Sequence, residues 1–84
     1  MLTIKVLGTG CPNCQKVEAN TKEALTMLRP DGGYELIKVT DPAEIGEYVL
    51  RTPGLMINDT VVCEGRIPHA SEIMTWMANA LENA

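Results

Sequence analysis

The sequence lacks several features that would assign the protein to a broad class. It has no apolar run long enough to span a membrane, and its N-terminus lacks the cationic region and apolar stretch of a secretory signal peptide. Its seven basic residues form no run or stripe, and the net charge is −4, which argues against nucleic acid or an anionic membrane as a partner. We therefore expect a cytoplasmic protein.

Linkers, internal repeats and low-complexity segments are also missing. With 84 residues, 45% of them hydrophobic, the chain is expected to form one domain over 1–84 with a core of modest size. Cysteine is scarce: three residues cannot all pair within one chain, so a secreted scaffold held by disulfides is not expected.

What the sequence does contain is a closely spaced cysteine pair, Cys11 and Cys14. The pair follows an apolar run, Leu2–Leu7, which alternates as a strand does and ends at two nearby glycines. Apolar residues then recur at helical spacing and predict a helix from the pair to about Leu28. Pro12 suits the first helical position, because its missing N–H would have been unpaired there.

This placement gives the two thiols different chemistry. Cys11 is predicted to lie at the start of the helix, where free backbone N–H groups and the helix dipole favour a thiolate. An ordinary thiol, with a pKa of about 8.5, is only a few per cent ionised at neutral pH. A thiol whose pKa is lowered by a helix start is ionised more and attacks a disulfide faster. Cys14, one turn further in, is expected to be more buried and to resolve a mixed disulfide. The spacing also fits reduced core cysteines or half of a zinc site, and context favours redox use.

The rest of the chain predicts three more strands and two more helices. The expected elements are a strand over Tyr34–Val39, a helix that begins after Asp41 and ends near Arg51 and Thr52, a hairpin of Leu55–Ile57 and Val61–Glu64, and a helix over Ser71–Leu81. A strand, a helix and a strand in about forty residues predict a right-handed crossover with parallel strands.

This order, with Cys-x-x-Cys at the first strand-to-helix junction, resembles the thioredoxin fold, and in particular the small thioredoxin-like redox-active disulfide proteins. Two motifs carry the resemblance: Gly8-Thr9-Gly10-Cys11-Pro12-Asn13-Cys14, and Arg51-Thr52-Pro53-Gly54-Leu55-Met56-Ile57 followed by Val61-Val62 and Gly65-Arg66-Ile67-Pro68. The resemblance implies an α/β protein with the minimal β-α-β-α-β-β-α fold, a four-stranded mixed sheet and helices on both faces.

The resemblance also implies a function. The protein would be a thiol–disulfide oxidoreductase or redox carrier, monomeric and without a bound cofactor or metal, with protein disulfides as substrates and an upstream thiol reductase. Cys11 would be the attacking thiolate, Cys14 the resolving thiol that joins it in a disulfide, and Pro53 a cis-proline facing that disulfide. The residues expected to bind substrate are Gly10, Pro12, Asn13, Thr52 and Pro53. Thr52 would offer its backbone to an extended substrate, within an apolar rim of Pro12, Pro53 and Leu55.

The chain departs from the pattern of full-length thioredoxin at three points. Gly10 stands where that family has a tryptophan, and Pro12-Asn13 replaces Gly-Pro between the cysteines. Lys5 stands where the family has a buried aspartate. We therefore assign no general base to Cys14.

A first alternative is the use of glutathione. A proline after Cys11 is reminiscent of glutaredoxin, and Lys16, Arg51 and Arg66 are candidates to bind the two carboxylates of glutathione. The double glycine of glutaredoxins, however, is only Gly65 followed by Arg66 here.

A second alternative is metal binding. Copper chaperones have a methionine where Thr9 stands and two strands directly after the first helix, whereas Asp41 predicts a helix there. Cys63 and His69 could complete a zinc site. In the family's sheet order the last strand lies two strands from the first, about 9.6 Å away at ~4.8 Å per strand. That exceeds the ~7 Å limit on Cα separation even for a disulfide, which argues against the zinc site. Cys63 is interpreted as a small apolar core residue, and the alternative is a free thiol for dimerisation or glutathionylation.

Overall fold

The structure is a computed structural model that describes residues 2–10, 12–30 and 32–82. Strands and helices alternate along most of the chain. The elements are β1 (Leu2–Leu7), α1 (Pro12–Leu28), β2 (Tyr34–Val39), α2 (Pro42–Tyr48), β3 (Gly54–Ile57), β4 (Thr60–Glu64) and α3 (Ala70–Glu82). The element order and the α/β class predicted from the sequence are confirmed.

The four strands form one mixed sheet in the order β2-β1-β3-β4. β1 is parallel to β2, while β3 is antiparallel to β1 and β4 is antiparallel to β3. The end of β1 therefore meets the start of β3, and Leu7 lies opposite Gly54. The chain leaves β1 for α1 at this end of the sheet, so both sequence motifs converge there.

Apolar side chains are buried on both faces of the sheet. The larger core joins β1 and β3 to α1 and α3 and includes Ile4, Val17, Ile73 and Met77. A smaller core on the other face consists of Leu7, Val39, Ile45, Val49 and Met56. The helices thus cover both faces, and α1 shares the larger core with β1, the strand that leads into it.

Helix α2 ends earlier than the sequence predicts. Its last residue is Tyr48, and Val49 already has extended backbone angles, φ −134° and ψ 152°. The prediction that the helix continues through Val49 and Leu50 to near Arg51 is wrong. Val49 leaves the helix and is 5% exposed in the smaller core, whereas Leu50, the next residue, is 94% exposed.

None of the helices in the described part of the chain combines the length and the apolar character needed to cross a membrane.

Candidate active site

Cys14 lies in the first turn of α1 and is buried, 5% exposed, as the sequence predicts. Its side chain packs against the backbone of Gly8, immediately after β1. A Cβ atom added at Gly8 would overlap the Cys14 Sγ and would lie 2.9 Å from the Cys14 Cβ. The absence of a side chain at Gly8 therefore makes room for the sulfur.

Cys11, the other cysteine of the pair, lies outside the described residues, and so do its predicted role and its predicted disulfide with Cys14. Its two chain neighbours are described. Gly10 has φ 95°, a left-handed conformation that glycine adopts without strain, and Pro12 is the first residue of α1. Pro12 and Asn13, the two residues between the cysteines in the sequence, are both exposed. The first two residues of α1 are therefore accessible to a binding partner.

The second motif reaches the same end of the sheet. The Thr52–Pro53 peptide bond is cis, and Gly54 then begins β3 opposite Leu7. Pro53 is buried, and its carbonyl accepts a hydrogen bond from the Gly65 N–H at 3.0 Å. Thr52, in contrast, is exposed. The segment before β3 is thus anchored at Pro53 and presents Thr52 to solvent.

The apolar rim expected around the cysteine pair differs from the prediction. Leu55 is 1% exposed, so its predicted place in the rim is wrong. Pro53 is buried as well, and only Pro12 of the three is exposed. The Leu55 side chain belongs to the larger core because β3 is a central strand covered on both faces. Leu50, which the sequence placed in α2, is the exposed apolar side chain near this motif.

A cavity of about 110 Å³ opens beside Cys14. It is lined by Val6, Gly8, Gly10, Cys14, Gln15, Glu18, Lys38 and Thr40. Glu18 lies four residues after Cys14 and so shares its face of α1. The Glu18 carboxylate pairs with the ammonium groups of Lys38 and Lys22, each at 3.1 Å. The hydrogen bond from Lys38, helped by that from Lys22, lowers the pKa of Glu18, so a carboxylate kept ionised lines the cavity.

Sequence reasoning missed Glu18 and Lys38. The spacing of four residues between Cys14 and Glu18 was a signal that could have found the carboxylate. Its pairing with Lys38 was not readable from spacing, because it depends on how β2 lies relative to α1.

Lys5 has the sequence position of the family's aspartate, but it does not line the cavity beside Cys14. It alternates with Val6 along β1, so its side chain lies on the face of the sheet away from α1. There its ammonium is 3.8 Å from the Asp59 carboxylate and 5.7 Å from the centroid of the Tyr48 ring. The carboxylate beside Cys14 comes from α1, at Glu18, and not from β1.

The three basic residues considered for glutathione differ in their surroundings. Arg66 donates to both carboxylate oxygens of Glu72, at 2.7 and 3.3 Å, so its charge is already compensated. Lys16 and Arg51 are exposed, and neither forms an ion pair with any described residue. Of the three candidate cations, Lys16 and Arg51 are thus the two without a carboxylate partner among the described residues.

Cys63 is a buried thiol on β4, 8% exposed, which confirms its interpretation as a core residue. Its Sγ lies 3.8 Å from the Arg66 carbonyl oxygen, and burial raises the pKa of the thiol. β3 separates β4 from β1, as the predicted sheet order requires, and α2 lies between β2 and β3. This helix distinguishes the fold from that of copper chaperones.

Comparison with known proteins agrees with this geometry. Residues 2–78 match the family model of the thioredoxin domain. The chain belongs to the thioredoxin family. It is 43% identical over 82 residues to a thioredoxin of Methanocaldococcus jannaschii, covering 98% of this chain and 93% of that protein. It is 39% identical over 74 residues to a thioredoxin of Methanothermobacter thermautotrophicus, covering 87% of this chain and 94% of that protein.

Membership of the thioredoxin family gives the activity. The protein is a thiol–disulfide oxidoreductase with the minimal thioredoxin fold, as the sequence predicts, and the glutathione and metal-binding alternatives are not favoured. Disulfide-containing proteins and thiol reductases are the general partner classes that the family implies.

Proposed function

We propose that the protein exchanges a dithiol for the disulfides of other proteins through Cys11 and Cys14. The observation that supports this most is the position of Cys14, buried in the first turn of α1 with its sulfur against Gly8. A thiol placed there is shielded from solvent, yet in the sequence it lies only three residues after Cys11, which directly precedes the first residue of α1. This arrangement suits an attacking thiol at the surface and a resolving thiol behind it.

The proposed reaction has two steps. The Cys11 thiolate attacks one sulfur of the target disulfide, whose S–S bond breaks, and a mixed disulfide forms while the other target sulfur leaves as a thiolate. Cys14 then passes its proton to water or to the departing thiolate and attacks the Cys11 sulfur. The second target sulfur leaves, and a Cys11–Cys14 disulfide remains. Two electrons have passed to the target, and an upstream thiol reductase restores the dithiol.

The start of α1 supports Cys11 as the attacking thiol. Free backbone N–H groups and the positive end of the helix dipole stabilise negative charge at a helix start. The first turn of α1 contains no acidic residue that would oppose this effect, and Lys16 follows one turn after Pro12. We therefore assign the thiolate to Cys11.

We propose that the substrate chain lies across Thr52 and the start of α1. Thr52 is exposed, and its backbone N–H and carbonyl form no hydrogen bond with any described residue. An extended substrate segment can pair with these groups as a short β-strand. Gly10, Pro12 and Asn13 are exposed at the start of the helix and are the proposed contacts on that side.

A monomer of one domain, located in the cytoplasm, is part of the same proposal. The burial of Cys63 supports the monomer, because a buried thiol is poorly placed to form a disulfide with a second chain.

The test is covalent trapping of substrates. Cys14→Ser should form the mixed disulfide through Cys11 but fail to release it, so adducts with disulfide-containing proteins should accumulate on non-reducing gels. Cys11→Ser is the matched control and should trap little, because Cys14 is buried. Equal trapping by the two variants would show that the assigned roles are wrong. Mass spectrometry of the gently oxidised wild type should in addition find Cys11 and Cys14 joined.

A further inference from the structure

Leu50 is an apolar side chain left almost entirely in solvent. Four large apolar side chains in the described part of the chain are exposed: Met27 at 58%, Tyr34 at 50%, Tyr48 at 40% and Leu50 at 94%. A single exposed apolar residue on a protein surface is ordinary. The position of Leu50 and the way its backbone is held are what set it apart.

Leu50 is the one of these four side chains that belongs to the end of the sheet carrying the site. Tyr34 pairs with Leu2 at the opposite end, and Met27 is next to the last residue of α1, far from the first turn. Tyr48 has a partner, since the Lys5 ammonium lies over its ring. Leu50 lies three residues before Pro53, in the segment that leads into the site.

The backbone on both sides of Leu50 is fixed by hydrogen bonds and burial. The buried residue Val49 donates its N–H to the Ile45 carbonyl at 3.0 Å. The Leu50 N–H donates to the Glu64 carboxylate at 3.1 Å, which joins this segment to the end of β4. Leu50 is therefore held outward by an anchored segment, and its exposure does not arise from a loose loop.

We propose that Leu50 is a specificity residue that contacts an apolar side chain of an extended polypeptide substrate, close to the reacting cysteine of that substrate. This inference rests on the proposed function, in which the substrate pairs with the backbone of Thr52. Two residues of extended chain span at most about 7 Å. A substrate segment that pairs at Thr52 therefore brings its next one or two side chains beside Leu50.

The chemistry of the contact is the burial of apolar surface on both partners. In the free protein the Leu50 side chain is hydrated, and an apolar substrate side chain packed on it would remove both surfaces from water. The sulfur exchange itself does not involve Leu50. A small disulfide too short to reach Leu50 gains nothing from it, so substrate preference and basal reactivity can be measured separately.

The experiment compares two peptides that carry the same disulfide and differ only in one residue next to the reacting cysteine, Leu or Ser. A neutral small disulfide, bis(2-hydroxyethyl) disulfide, reports basal reactivity. Leu50→Ser should lower kcat/KM for the leucine peptide by roughly fivefold to tenfold, the size expected for a partly exposed apolar contact. It should leave the serine peptide and the small disulfide unchanged. Met27→Ser is the matched control, since it removes an exposed apolar side chain at the other end of the molecule.

Two outcomes would overturn the inference. One is an unchanged preference for leucine over serine in Leu50→Ser. The other is an equal loss on all three disulfides, which would place Leu50 in the general reactivity of the site. Failure of the proposed function would look different, because the wild type would then reduce neither peptide and Cys14→Ser would trap no adduct.

Discussion

The sulfur of Cys14 occupies the space that a side chain at Gly8 would need. The segment between β1 and α1 therefore packs closely against the first turn of α1. Gly8 is not among the glycines with positive φ, so its requirement is for space and not for backbone conformation. The position of the proposed resolving thiol thus depends on a residue outside the Cys-x-x-Cys motif.

Gly8→Ala should destabilise the protein and disturb Cys14. The added methyl group would overlap the sulfur, and overpacking of this kind costs about 1–3 kcal/mol. Urea unfolding should show this loss, and stopped-flow measurements should show slower release of the mixed disulfide. Gly46→Ala is the control: a Cβ there meets no atom within 4 Å, so within α2 it should stabilise by about 0.5–1 kcal/mol. Equal stability of Gly8→Ala and the wild type would contradict the close packing of Gly8 against the Cys14 sulfur.

The thiol of Cys11 should react as a thiolate at a lower pH than an ordinary cysteine. The start of α1 stabilises negative charge there, so its alkylation rate should titrate clearly below the ~8.5 of a free thiol. Cys63 is an internal comparison, since burial raises the pKa of its thiol and should also slow its reaction. Iodoacetamide labelling followed by mass spectrometry resolves the two sites. Titration of Cys11 at or above the free-thiol value would refute the activation argument.

Glu18→Gln should weaken the fold at neutral pH but not in acid. The change removes the ion pair with Lys22 within α1 and the ion pair with Lys38 of β2. Together these two pairs contribute about 0.5–1 kcal/mol to the free energy of unfolding. Folding lowers the pKa of Glu18 below its usual 4.5, so the contribution is complete above about pH 5 and is lost as pH falls through the folded-state value.

Thermal or urea unfolding across pH 3–7 checks the Glu18 prediction. Glu23→Gln serves as the control, because Glu23 is exposed and forms no ion pair with a described residue. A stability difference that stays constant down to pH 3 would mean that the ion pairs are not its source.

The helix starts were readable from the sequence because local chemistry determines them. The Asp41 carboxylate accepts from the Ala43 N–H at 3.1 Å and Pro42 follows at the first helical position. The end of α2 was not readable in this way. Val49 leaves the helix because its side chain packs in the smaller core, and that core is assembled from strands distant in sequence.

The same distinction applies to the site. The cysteine pair was found from residue types and spacing, whereas the Thr52–Pro53 motif was found through the resemblance to the thioredoxin fold. The roles of Cys11 and Cys14 remain predictions. The outward position of Leu50 depends on the Glu64 carboxylate, fourteen residues further along the chain. Contacts of this kind follow from the sheet order, so they could be seen only after the strands had been placed.

The third cysteine has a consequence for the fidelity of the reaction. Cys63 is buried on β4, and β3 lies between β4 and β1, two strand spacings or about 9.6 Å from the strand that leads to the reactive pair. In the proposed reaction, we therefore expect neither the mixed disulfide nor the Cys11–Cys14 bridge to migrate to the Cys63 sulfur while the sheet is intact. The proposed catalytic cycle would then return each time to the same two sulfurs, although the chain has an odd number of thiols.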